Sequence, residues 1–63
     1  MEKIHIELQE LVVTFLAVHP GFEGKKQLAD KLYVSMPTGE RWARGKNLPS
    51  TKLATTLVGA MNE

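Results

Sequence analysis

Residues 25–49 read KKQLADKLYVSMPTGERWARGKNLP, and this stretch decides the fold. Leu28, Ala29 and Leu32 fall at helical spacing and predict the buried face of a short helix over Lys25–Leu32. Tyr33-Val34 make a turn. Ser35 is a natural N-cap, because its hydroxyl accepts a hydrogen bond from an orphan amide in the next turn. Pro37 falls in the first turn of a third helix, where a missing N–H is harmless. That helix is predicted from Met36 to about Arg44, with Gly45 as the residue that ends it. Two short helices, a tight turn, and cations along the second helix form a helix-turn-helix pattern. In that arrangement the second helix enters a DNA major groove while flanking groups hold phosphates.

The pattern extends outward on both sides. Ile4, Leu8, Leu11, Val12, Phe15 and Leu16 recur at spacings of three and four and predict a first helix from about Ile4 to Val18. His19-Pro20-Gly21 should stop it, with a loop through Phe22, Glu23 and Gly24. After Leu48-Pro49, Ser50 is a second N-cap candidate. A fourth helix over Thr51–Met61 would turn Leu53, Leu57, Val58 and Met61 inward. Gly59 weakens that helix by about 1 kcal/mol relative to alanine. No strand pattern, repeat or low-complexity stretch is visible. The expectation is one all-α domain over residues 1–63, a compact bundle of four to five helices.

Composition narrows the classes. The chain has 63 residues, no cysteine and a formal net charge of +1. So short a chain buries only roughly 60% of its unfolded surface, and its stability margin is thin. Disulfides and thiolate metal sites are excluded. The opening residues MEKIHIELQE are too charged for a signal peptide, and the apolar run Leu11–Val18 is too short to span a bilayer. A cytoplasmic address in a bacterium or a phage-infected host cell fits. Charge is divided unevenly. Residues 1–24 carry Lys3 against Glu2, Glu7, Glu10 and Glu23, whereas residues 25–52 carry seven basic residues against Asp30 and Glu40. That polarity orients a domain toward a polyanion.

The stretch resembles the lambda-repressor-like (Xre-type) helix-turn-helix family of small phage and bacterial transcription regulators. The match rests on Leu28-Ala29, Leu32, Val34-Ser35, Pro37-Thr38, Arg41-Trp42, Gly45 and Leu48-Pro49. The resemblance implies a bundle of four or five helices. It places Ala29 where helices two and three cross closely and Trp42 in the core. Two positions depart from the family pattern. Tyr33 stands where the family usually has a glycine of positive φ, and Gly39 stands where it has isoleucine or valine. Gly39 should therefore leave a hole behind helix three, with Trp42 or Tyr33 as its fillers.

Candidate contacts follow. Arg41 and Arg44 are three apart on neighbouring parts of one helical face and suit guanine or phosphate. By resemblance, Arg41 is the base reader and Arg44 the phosphate contact. Ser35, Met36, Pro37 and Thr38 occupy the amino end of helix three. Met36 and Pro37 can pack on a thymine methyl but cannot read a donor or acceptor. Ser35 is better read as a cap than as a base contact, and Thr38 is evenly divided between the two. Glu40 either accepts from cytosine N4 or pairs with Arg44 at i,i+4, and the pair is preferred. Lys25 and Lys26, at the start of helix two, suit a phosphate or plain solubility. Lys46 and Asn47 resemble the family's phosphate-touching loop.

His5 and His19 lie apart without ligand spacing, so no metal is expected. No nucleophile–base pair, carboxylate dyad or cofactor motif is present, so neither an enzyme nor a cofactor is expected. The resulting expectation is a sequence-specific double-stranded DNA-binding regulator, a repressor or activator, acting as a homodimer. Ile6, Val13 and Leu48 are candidates for its partner surface. About 5 phosphate contacts would give a log–log salt slope near −4 to −5. The alternative is a protein-binding adaptor, a phage-encoded inhibitor or antitoxin-like protein on the same fold, suggested by Met36, Pro37 and Gly39. A structural or assembly module is a further alternative.

Overall fold

The computed structural model describes residues 2–63. Four helices account for most of them: α1 (Lys3–Val18), α2 (Gly21–Leu32), α3 (Met36–Ala43) and α4 (Thr51–Met61), with no strand among the described residues. Leu8 and Val12 of α1, Leu28 and Leu32 of α2, Trp42 of α3, and Ala54, Leu57 and Val58 of α4 form one buried cluster. Ile4, Leu11, Phe15, Leu16, Val34, Leu48 and Met61 pack around its edge. Leu48 is half-buried at the core margin, whereas Ile6 and Val13 are exposed. The inward placement of Leu53 is corrected: it is 46% exposed, and Ala54 takes the inward position. A small side chain there lets α4 lie close against α1.

α2 begins at Gly21, four residues before the expected Lys25, directly after Pro20 in extended backbone. The stretch expected as a loop is thus the first turn of a helix. Its position depends on Gly24. A Cβ built at Gly24 would lie 1.5 Å from the His19 carbonyl oxygen, so any side chain would force α1 and α2 apart.

The α2–α3 junction is a three-residue turn, Tyr33-Val34-Ser35. Tyr33 adopts the left-handed conformation, φ 57° and ψ 42°. The Val34 N–H reaches the Ala29 carbonyl at 3.0 Å and the Tyr33 N–H reaches Asp30 at 3.4 Å, which is the Schellman way of ending a helix. Tyrosine in that conformation costs on the order of 1 kcal/mol, where glycine would cost little. α3 ends the same way, with Gly45 N–H on Trp42 at 3.0 Å and Lys46 N–H on Arg41 at 2.8 Å, and Gly45 at φ 74°. Gln9 of α1 adds a donor to this end, its Nε2 giving a 3.2 Å bond to the Ala43 carbonyl.

Both expected N-caps form. Ser35 Oγ accepts from Thr38 N at 3.4 Å and Ser50 Oγ accepts from Leu53 N at 3.3 Å. Three cross-links tie the ends of the bundle. His5 Nε2 donates to the Pro49 carbonyl at 2.7 Å, the Thr51 hydroxyl donates to Glu2 Oε2 at 2.7 Å, and the Trp42 indole N–H donates to the Asn47 carbonyl at 3.1 Å.

The hole expected behind Gly39 is already filled. A Cβ at Gly39 would lie 3.3 Å from Leu28 Cδ2, so Leu28 occupies the space. Neither Trp42 nor Tyr33 is needed there, and Tyr33 is 95% exposed. Among the described residues, no helix is long and apolar enough to cross a membrane.

Candidate functional site

α3 advances about 100° per residue, which separates its residues into two faces. Gly39 and Trp42 are buried and Ala43 is half-buried, and together they form the inner face. Pro37, Arg41 and Arg44 fall on the opposite side and are all exposed. Ser35 and Lys46 are exposed at the two ends of this helix, so the outer face runs from the cap to the loop. Met36 and Thr38 are half-buried at its flanks, and the Thr38 hydroxyl lies 2.8 Å from Ser35 Oγ. Thr38 is thus engaged with the cap.

The loop after α3 is set by local chemistry. Asn47 takes φ 52°, a left-handed conformation that asparagine tolerates better than most residues. Its carbonyl is held by the indole of Trp42, and its side chain and that of Lys46 remain exposed. Trp42 is buried, as its register required, and is not available for stacking on a base.

Two expectations about charge change. Lys25 and Lys26 lie in the second turn of α2 and do not border its orphan amides, so the argument from a helix start does not apply to them. Glu40 pairs with Lys25, Nζ to Oε1 at 2.9 Å, and not with Arg44; this is the one salt bridge among the described residues. The hydrogen bond from Lys25 and then its charge hold the Glu40 carboxyl below the usual carboxylate range, with Arg44 adding a smaller pull in the same direction. Leu16, Lys25, Glu40, Ala43 and Arg44 border an open groove of about 190 Å³ between the helices. Arg41, Arg44, Lys26 and Lys46 are left without a carboxylate partner among the described residues.

A second concavity lies at the other side of α1. Leu11, Thr14, Phe15, Val18, His19 and Met61 line an open, mainly apolar groove of about 250 Å³. Phe22, 67% exposed, follows in the first turn of α2. The ring of His19 rests on Phe15 with centroids 4.6 Å apart. No group of three or more residues able to hold a metal ion occurs among the described residues.

Sequence reasoning missed Gln9 and Gly24. Gln9 carries no local signal, since its role appears only when α1 crosses the end of α3. Gly24 did carry one: Glu23 just after Pro20-Gly21 is what a first helical turn looks like. No family model, curated protein or solved structure matches the chain.

Proposed function

We propose that this chain is a lambda-repressor-like helix-turn-helix domain that binds double-stranded DNA sequence-specifically and regulates transcription in a bacterium or phage-infected cell. α3 lies in the major groove, α2 crosses the backbone, and occupancy of the site controls RNA polymerase. The observation that carries this reading is the outer face of α3, where Arg41 and Arg44 stand exposed without carboxylate partners and Lys46 continues the cationic surface. Arg41 is proposed as the base reader. Arg44, Lys46 and Lys26 are proposed as phosphate contacts. Ser35, Met36, Pro37, Thr38 and Asn47 border the groove and contribute shape more than hydrogen bonds. A single small bundle offers little contact area, so two copies on two half-sites supply useful specificity.

The test is binding to duplexes selected from a random pool, followed by a salt titration. With Arg44, Lys46 and Lys26 as the phosphate contacts of each copy, and Lys25 held by Glu40, the log–log slope per copy is expected at about −2.5 to −3. Absence of binding to any duplex at low salt overturns the reading. A second reading, a protein-binding adaptor on the same fold, is supported by the apolar groove between Leu11 and Met61 and by the exposed Phe22 of α2. In that case affinity for a protein partner would depend on Phe22 and be indifferent to Arg41.

A further inference from the structure

Glu40 is the one carboxylate on α3, set between Arg41 on the same helix and Arg44 at its C-cap. It lies three residues after Pro37 and four before Arg44, half-buried at the flank of the outer face beside the groove it shares with Lys25 and Arg44. A free carboxylate there has two consequences. It repels phosphate, and it competes for a neighbouring guanidinium, Arg44 being at the favourable i,i+4 spacing. Lys25 reaches across from α2 and takes Oε1 at 2.9 Å, so Arg44 acts on the carboxylate through its charge and forms no contact pair with it. Both partners remain partly exposed, so the pair is a surface contact and adds little to folding. Its importance lies in where it puts charge. The carboxylate is paired by a residue of α2, and Arg44 keeps its guanidinium out of a contact pair. A carboxylate has acceptor capacity on both oxygens, so Oε2 stays available while Oε1 is held.

We propose that Lys25 is a positioning residue and not a phosphate contact. By anchoring Glu40 it keeps Arg44 out of a contact pair and presents the second carboxylate oxygen to an amino group on the major-groove edge of a base, that of cytosine N4. Glu40 is then a specificity determinant whose charge is paired from α2. This inference rests on the DNA-binding reading above and assigns a division of labour within that surface.

The test compares wild type with Lys25→Met, Glu40→Gln and the double variant on a selected duplex and on variants of it that replace single cytosines. Circular dichroism checks that all four proteins are folded. Glu40→Gln is expected to lose preference at one cytosine by about tenfold while binding other duplexes as before. Lys25→Met is expected to bind about tenfold more weakly in the wild-type background and to change binding less than about twofold in the Glu40→Gln background, a non-additivity of the kind that marks direct coupling. The salt slope should not change with Lys25→Met. Without DNA, the Arg44 side-chain Nε–H resonance should move in Lys25→Met as Glu40 turns to it, and return in the double variant. If wild type binds no duplex, the functional reading itself falls. If wild type binds, but Lys25→Met costs the same with and without Glu40 and lowers the slope by about one, Lys25 is a phosphate contact and the proposal is overturned.

Discussion

Replacing Gly39 separates a filled interior from an empty one. The nearest atom to a Cβ at this position is Leu28 Cδ2 at 3.3 Å, followed by Leu28 Cγ at 3.9 Å. Carbon atoms are best placed at about 3.5–4.0 Å, so an alanine methyl asks Leu28 to move by only a few tenths of an ångström. Against that small cost stands the removal of glycine from a helix interior, which contributes about 1 kcal/mol. Gly39→Ala is therefore expected to stabilise by about 0.5 kcal/mol, raising Tm by about 2–4 °C in a domain of this size. Isoleucine adds three heavy atoms beyond Cβ. Leu28 is 1% exposed and cannot swing aside into solvent. Overpacking of this kind costs about 1–3 kcal/mol, so Gly39→Ile is expected to lower Tm by about 2–20 °C after a gain of about 0.5 kcal/mol in helix propensity. Thermal melts followed by far-ultraviolet circular dichroism measure both. The reasoning fails if isoleucine melts above wild type, because that result requires a void where the structure places Leu28.

Gly24→Ala should cost about 3 kcal/mol or more, much of what a domain this small has, and leave little folded protein at 37 °C by circular dichroism. Tyr33→Gly removes left-handed strain but adds freedom to the unfolded chain, so a net gain of about 0.5 kcal/mol and a Tm rise of about 2–4 °C are expected; a fall in Tm would mean the ring packs on something. The Lys25–Glu40 pair has a defined pH sense. Because the Glu40 carboxyl is held below its usual range, the pair is complete above the ordinary carboxylate value and is lost as pH falls through the lowered one. A carbon-detected titration of Glu40 should show that downward displacement, and Lys25→Met should abolish it. Arg41→Ala should relax sequence preference, whereas Lys46→Ala should weaken all duplexes alike; equal losses on selected and random DNA would refute the division of roles.

Local chemistry was the readable part of this chain. Ser35, Ser50 and Gly45 announce helix ends through the hydrogen bonds their own residue types can make, and the structure places each where those rules put it. The α1 stripe follows from helical spacing, and the buried Trp42 occupies the core position that the resemblance implies. The start of α2 was misjudged because Pro20 stops a preceding helix and introduces the next with equal ease. Gly24 looked like loop because its purpose, the approach of the His19 carbonyl, belongs to a neighbouring helix. Leu53 and Ala54 are adjacent in register, and size alone favoured the wrong one. Gly39 shows the same limit from the other direction: a missing side chain is visible in sequence, but the Leu28 methyl that replaces it is not. Of the candidate site, the exposed arginines were legible from period. The choice of partner for Glu40 was not, because the competing lysine lies on another helix.

The indole of Trp42 has a consequence for how the surface behaves when a ligand arrives. Its ring is anchored among the interior residues while its N–H grips the Asn47 carbonyl. Pulling the Lys46–Asn47 segment outward strands a donor in a dry environment, a penalty of about 1–3 kcal/mol. On the DNA-binding reading proposed above, adaptation on encounter would then fall to the ligand more than to this loop. As the chain's sole tryptophan is itself the tether, its unlabelled emission spectrum would disclose any complex in which the loop yields instead.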